Sequence, residues 1–327
     1  MRSVCETSLA REDLTLNGEC YVSLAFRPLL EQGRDVRVFP MRQFCQWGTP
    51  EDLADWQTWA SAARLGAEGQ KQPALPGTTL LPLAGLGRRF ADAGYTTPKP
   101  LVPVNGQPMV LSARADLPRS ANTIYALRRD MPESAELAAR LSAQPDSHCV
   151  LLDGPTDGQA RTCLIALEKT PGIALDAPLT IGACDNGLRY NAAAFADLWE
   201  QEKPDVLIWT VRGHAGARRH PEQYGWVDVD AQGRVRHVSV KRASADPTHD
   251  PVVTGAFTFR RAGDFRRAAV RMIERRGLVN GEYYVDECIN DAIGLGLRVL
   301  AFDVDAYLCW GTPDDLKTWE YWQEFFA

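Results

Sequence analysis

From residue 79 to residue 212 the sequence alternates between short apolar runs and stretches whose apolar residues recur three and four apart. Thr79 to Ala84, Thr123 to Leu127, Ser147 to Leu152, Leu179 to Cys184 and Val206 to Arg212 read as buried strands. Glu133 to Ala143, Ala160 to Lys169 and Ala192 to Glu202 read as the helices between them. Strands separated by helices pair in parallel, so the pattern predicts a three-layer α/β/α domain around a mostly parallel sheet. Polarity then begins to alternate residue by residue. Tyr224 to Asp230 and Val235 to Lys241 flank Ala231-Gln232-Gly233 as the arms of a hairpin, and Val252 to Phe259 adds a strand. Helices at Asp264 to Arg276 and Tyr284 to Gly294, a strand at Arg298 to Asp303 and a final helix from Pro313 complete a domain spanning 78–327.

One part of the pattern occurs twice. Asn17 to Trp59 aligns without a gap to Asn280 to Trp322, with about 16 of 43 positions identical, too many for chance in a period this long. Residues 1–65 therefore read as a partial duplicate of the C-terminal segment, an added α/β fragment predicted to form a helix, a strand and a Trp-rich helix. Residues 66–77, rich in Gly, Pro and Gln, read as a linker. Asp286 and Glu287 are replaced by Ser23 and Leu24, and Asp303 and Asp305 by Pro40 and Arg42. Trp47, Gly48, Thr49, Pro50, Asp52, Leu53, Trp56 and Trp59 survive. The early copy keeps turn, cap and packing residues and loses acids. It is expected to fold as an added layer on the main domain; a contact between two copies of the chain, giving a homo-oligomer, is the other reading.

Composition narrows the class. At 327 residues and 45% hydrophobic content the chain can bury a large core, and a net charge of −6 argues against nonspecific nucleic-acid binding. No apolar run is long enough to span a bilayer and Met1 to Leu14 has no hydrophobic signal core, so no membrane partner and a cytoplasmic location are expected. The eight cysteines show no C-x-x-C spacing, and several lie in apolar runs as reduced core residues do. The five histidines lack ligand spacing, which disfavours structural zinc.

Candidate chemistry gathers behind the first strand of the large domain. Gly85, Gly87 and Arg89 follow it as G-x-G-x-R, ahead of Pro98-Lys99-Pro100-Leu101. Glycines let backbone N–H groups converge on an anion, and Arg89 and Lys99 add two cations where a triphosphate would sit. A P-loop needs Gly-Lys-Ser/Thr, and a dinucleotide loop needs a third glycine where Phe90 stands. The composite resembles the signature of the sugar-phosphate nucleotidyltransferase family, the NDP-sugar pyrophosphorylases, over about residues 78–327. That resemblance implies the GT-A-like nucleotide-diphospho-sugar transferase fold and a Mg2+-dependent reaction of a nucleoside triphosphate with a sugar 1-phosphate. It also implies release of pyrophosphate and a role in nucleotide-sugar and polysaccharide biosynthesis.

The resemblance also implies roles for particular residues. Arg89 and Lys99 would clamp the triphosphate, with Leu83, Ala84, Gly85 and Gly87 along the nucleotide. Asp185 matches the family's strand-end metal ligand, and a turn at Asn186-Gly187 is expected to leave its side chain open. Gly158 and Gln159 resemble the loop that reads the nucleobase edge, Gln159 offering both a donor and an acceptor. Tyr224, Gly225, Lys241, Gly255, Glu282 and Asp286 match residues around the acceptor. For the last two, the preference of a helix N-terminus for acids is a competing account.

Two departures stand out. Val240 precedes Lys241 where the family often has Glu, and Cys309 stands where many relatives carry an aspartate two residues before Gly-Thr-Pro. Asp305 lies four residues before Cys309, about 13 Å along a regular strand, and cannot replace that aspartate. A magnesium ion would then be held by Asp185 with phosphates and water, or with Asp286. Three alternatives stay open. The acceptor could be a phosphorylated amino alcohol such as phosphocholine, to which Trp226 and Tyr224 would offer aromatic faces. The chain could be a nucleotide-binding or regulatory module with weak turnover. It could be a glycosyltransferase using Asp303-Val304-Asp305.

Overall fold

The computed structural model describes residues 6, 11–69 and 71–327. Cys5, most of the first ten residues and Gln70 of the expected linker lie outside the described residues. The chain divides into two compact units, with the break between Gln46 and Trp47.

The smaller unit holds 3-10 turns at Glu12–Leu14 and Val22–Ala25 and one short helix, α1, Phe26–Glu31. The strand expected in this fragment does not form: residues 34–46 carry no strand, and Val38 and Phe39 are 91% and 88% exposed. A strand needs a neighbour to satisfy its N–H and C=O groups.

The larger unit opens with α2, Pro50–Glu68, started by Pro50 and a capping box in which Thr49 and Asp52 satisfy each other's backbone N–H. This helix runs past the boundary expected at residue 65 and belongs with the main domain, because Trp59 stacks on Trp322 (6.2 Å, 15°) and packs on Trp319 (6.1 Å). The expected linker is pinned as well. Leu75 is buried, its N–H donates to the Arg119 carbonyl, and the Arg119 N–H donates to Pro73.

Behind α2 the predicted alternation appears nearly in register. In chain order the elements are β1 (Thr78–Pro82), α3 (Arg88–Asp92), a small hairpin β2 (Pro103–Val104) and β3 (Gln107–Pro108), α4 (Met109–Asp116), β4 (Asn122–Arg128), α5 (Ser134–Ser142) and β5 (Ser147–Leu152). There follow α6 (Gln159–Lys169), β6 (Leu179–Ile181), β7 (Asn186–Arg189), α7 (Ala192–Asp197), β8 (Val206–Val211), α8 (Ala215–Arg219), β9 (Gly225–Val229), β10 (Val235–Val240) and β11 (Val252–Phe259). The chain ends with α9 (Ala262–Glu274), α10 (Val285–Gly294), β12 (Val299–Asp303), β13 (Ala306–Cys309) and α11 (Pro313–Phe326). The helix expected to Glu202 changes to a π-turn over Leu198–Glu202.

A nine-stranded sheet has the order β10-β9-β11-β6-β1-β4-β5, with β8 on the other edge of β11 and β12 beyond β8. Pairs β6–β1, β1–β4, β4–β5 and β8–β12 are parallel; β11 runs antiparallel to its neighbours. Every residue of β8 is buried, as expected of a strand covered on both faces. On one side, β11 meets β6 through Phe257–Phe259 and β9 only at Val252. Its register slips between Val253 and Phe257 around Gly255, and the sheet forks there. Among the described residues no helix is long and apolar enough to cross a membrane.

Candidate active site

The loop after β1 is built by its glycines. Gly87 has φ 62°, the left-handed region that disfavours side chains, and it caps α3, which carries Arg89. A Cβ on Gly87 would stand 3.4 Å from the Cβ of Lys99, so the loop and the Pro-Lys-Pro-Leu turn are in contact. A Cβ on Gly85 would meet nothing, because the backbone there faces an open cleft.

That cleft has a volume of about 670 Å³. Leu83, Ala84, Gly85 and Gly87 line it from the β1 loop, and Gly158 and Gln159 from the start of α6. Gly158 is required for packing, since a Cβ would lie 2.4 Å from the Tyr283 nitrogen. The Gln159 amide makes no hydrogen bond among the described residues and is free to read a ligand edge. Thr156 and Thr162, which the sequence did not single out, also face this cleft and share a 2.6 Å hydroxyl hydrogen bond. A second cleft of about 580 Å³ is lined by Tyr224, Gly225, Gly255 and Asp286. Arg89, Asp185, Lys241, Tyr284 and Gly311 line both clefts, so the two meet at these residues.

Asp185 stands at that meeting point, but the turn expected after it is absent. Asn186 begins β7, which pairs with β13 about 120 residues later, and the Trp310 N–H donates to the Asp185 carbonyl at 2.8 Å. The carboxylate is held by Lys99, whose Nζ donates to Oδ2 at 2.6 Å and to the Gly311 carbonyl at 3.0 Å. Burial by itself lowers the Lys99 pKa, but Asp185, Cys184 and Cys309 together outweigh it and the ammonium sits above its ordinary value. Oδ1 of Asp185 makes no hydrogen bond among the described residues. Arg89 has neither ion pair nor hydrogen bond among them.

The second cleft mixes charges. Burial pushes Asp286 upward against the opposing influence of Lys241, and its Oδ2 would lie 2.3 Å from a Cβ on Gly225. Lys241 is held below its ordinary value by burial, with repulsion from Arg89, and donates to the Gln223 carbonyl. Glu282 faces the first cleft, not the second, and raises the Tyr284 hydroxyl after burial has done most of that.

Two cysteines border the clefts. Burial pushes Cys184 up to about 12, and Cys309 likewise to about 12, so both stay thiols near neutral pH. The Cys309 Sγ lies 3.5 Å from Asp315, which the Thr312 N–H and hydroxyl already occupy at 3.0 and 2.7 Å. Asp303 and Asp305 line neither cleft. Asp303 accepts from Thr210 at 2.6 Å and from Arg212 at 2.8 Å, which removes the geometric ground for a glycosyltransferase reading.

Sequence reasoning also passed over Arg219, His214 and Tyr307. Arg219 and Tyr307 line the second cleft, and the run Arg218-Arg219-His220 just before Tyr224 was the available signal. His214 lies behind them, where burial pushes its pKa down to about 4.

No protein-family profile and no curated protein sequence matches this chain. Solved structures do resemble it. A nucleoside-diphosphate-sugar pyrophosphorylase from Vibrio cholerae RC9 superposes with a TM-score of 0.59 at 20% identity, over 75% of this chain and 99% of that one. The inositol-1-phosphate CTP transferase of T. maritima gives 0.57 at 12% identity, over 77% and 97%. A putative glucose-1-phosphate thymidylyltransferase from Bacillus anthracis, in complex with a sucrose, gives 0.55 at 14% identity, over 74% and 92%. Each neighbour is matched over nearly its whole length, and the mixed α/β architecture with a mostly parallel central sheet is the fold of the nucleotide-diphospho-sugar transferases.

Proposed function

We propose that the protein joins a nucleoside triphosphate to a sugar 1-phosphate, giving an NDP-sugar and pyrophosphate. The observation that carries this reading is the convergence of Arg89, Lys99 and Asp185 where a glycine-lined cleft meets a second one. An oxygen of the sugar phosphate attacks the α-phosphorus, the bond from that phosphorus to the bridging oxygen breaks, and pyrophosphate leaves in line. No covalent enzyme intermediate is needed; the chain's work is to hold two anions together and to neutralise charge in the transition state.

Arg89 and Lys99 supply that positive charge from the nucleotide side. Lys241, in both clefts, supplies it from the acceptor side. Gln159 offers its free amide to the base and Glu282 faces the nucleotide from the same cleft, while Asp286 lines the acceptor cleft, where acceptor hydroxyls would meet it. A carboxylate with one open oxygen fits magnesium, which takes one or two carboxylates and completes its shell with phosphates and water. No cluster of three or more acidic, His or Cys ligands stands among the described residues, and the Cys309 thiol is a poor partner for this hard ion. When bound at Asp185, magnesium would neutralise charge on the phosphate oxygens.

A phosphorylated amino alcohol is disfavoured as acceptor. The Trp226 indole is buried, with its N–H on the Pro221 carbonyl at 2.8 Å, and the Lys241 ammonium already stands 5.8 Å over the Tyr284 ring. We read residues 1–65 as a partial duplicate of the C-terminal segment, and the chain as a cytoplasmic enzyme of nucleotide-sugar metabolism able to form a homo-oligomer. The test is pyrophosphate release from four nucleoside triphosphates against a panel of sugar 1-phosphates, inositol 1-phosphate and phosphocholine, with magnesium. Asp185→Asn is expected to lower turnover by about a thousand-fold. Binding of nucleotide without pyrophosphate release on any acceptor would leave the regulatory-module reading instead.

A further inference from the structure

Beside the second cleft lies a small cavity of about 70 Å³, walled on one side by Asp55, Thr58 and Trp59 of α2. Its opposite wall is Gly216 and Arg219 of α8, with Tyr307. Gly216, Arg219 and Tyr307 line the second cleft too, so one layer of side chains separates α2 from that cleft.

α8 has only five residues, too few to hold itself as a helix, and it is wedged in place. On one side a Cβ on Gly216 would stand 2.7 Å from the Tyr224 hydroxyl. On the other, Arg218 reaches α2 and donates to Asp55 Oδ1 at 3.2 Å, while its buried Nε has no hydrogen-bond partner among the described residues. Asp55 is therefore the carboxylate that fixes Arg218, and with it the direction of the next residue.

Arg219 has no counter-ion among the described residues. Its Nε donates only to the Ala215 carbonyl of its own helix, at 3.3 Å. The nearby acids are engaged: Asp315 in its capping box, Asp314 with Lys317 at 3.6 Å, and Asp286 beside Lys241. Unlike Arg89 and Lys241, Arg219 does not line the nucleotide cleft, so it faces a part of the acceptor away from the reacting phosphate.

We propose that Arg219 binds a second anionic group on the sugar 1-phosphate, a carboxylate or a further phosphate, and that Asp55 is the positioning residue that aims it. The inference rests on reading the second cleft as the acceptor site. A guanidinium with no counter-ion among the described residues and two terminal nitrogens still open offers a charge-assisted, bidentate contact to either group.

Glucose 1-phosphate, glucuronic acid 1-phosphate and glucose 1,6-bisphosphate are titrated into the whole protein by calorimetry, and their KM values are measured where pyrophosphate is released. One or both diacids are expected to bind at least ten-fold tighter than glucose 1-phosphate. Arg219→Ala removes that preference and leaves glucose 1-phosphate within two-fold. Arg219→Lys restores part of it, and Asp55→Asn weakens it by a smaller factor. The two diacids tell a carboxylate from a phosphate. Equal binding of all three, no binding of any, or an equal loss on all three in Arg219→Ala overturns the inference. Preferential binding without pyrophosphate release would sink the proposed reaction and leave the anion site standing.

Discussion

The two aligned segments, Asn17 to Trp59 and Asn280 to Trp322, agree at their ends and differ between them. Asn17-Gly18 and Asn280-Gly281 both turn with positive φ (54° and 79°; 50° and 82°), and each turn is closed by a bridge, Leu16 to Glu19 and Val279 to Glu282. Thr49 and Asp52 form the same capping box as Thr312 and Asp315, each followed by a helix with proline in its first turn. Between these ends, α10 has ten residues where its counterpart α1 has six, preceded by a 3-10 turn. Pro28 lacks an N–H and helps limit α1. β12 and β13 have no counterparts among residues 34–46. The aligned valines show the contrast most simply: Val285 is fully buried and Val22 is 81% exposed. Structure closed by neighbours in sequence is kept in both copies; structure that needs a remote partner is present only where β7, β8 and the core supply one.

That comparison can be broken at four points, starting with the largest effect. Val285→Asp, which buries an unpaired carboxylate, should cost more than about 4 kcal/mol in urea unfolding, and Val22→Asp less than about 0.5 kcal/mol. Comparable losses would mean that the turn at Val22–Ala25 is buried after all. Glu282→Ala is expected to lower kcat/KM at least about ten-fold, while Glu19→Ala, in the matching turn, stays within two-fold. A deficit in the Glu19 variant would give the early copy a part in the chemistry.

The third test concerns the face between α2 and β13, where His214 sits. Burial dominates its pKa, with Asp315 opposing and Arg218 and Arg219 adding repulsion. Since the folded value, about 4, lies below the ordinary 6.5, the unfolded chain binds the proton more readily. Stability from neutral His214 is complete above about pH 6.5 and is lost as pH falls toward 4. His214→Asn should remove roughly 1–2 kcal/mol of that slope in denaturation measured across the window. Unchanged pH dependence would mean that His214 is already solvated. The smallest effects should be alike: Thr49→Ala and Thr312→Ala each lose about 1 kcal/mol, read from melting temperature, because both caps close locally. A loss in only one would show that context, not sequence, makes the cap.

The same division explains what could be read in advance at the candidate site. The G-x-G-x-R loop, Gly158-Gln159 and Asp185 were legible because short spacings and strand ends carry them. The ion pair of Lys99 with Asp185 was not, since 86 positions separate the two residues. Nor was the β7–β13 ribbon, which replaces an expected turn with a strand. Asn186-Gly187 is a good turn dipeptide in isolation, but residues 306–309 arrive to pair with it and decide otherwise. Arg219 escaped notice because α8 is too short for a periodic signal.

By itself the sequence determined the order of the main strands and helices, the capping boxes, the turns at Asn17-Gly18 and Asn280-Gly281 and the glycine loop, all set by bonds between residues a few positions apart. Only the tertiary structure decided which copy of the repeat would form strands, where the sheet forks at Gly255, and which cations and acids meet between the two clefts. Those outcomes depend on edges, burial and charges brought together from distant parts of the chain, and their energies exist only once the core has closed.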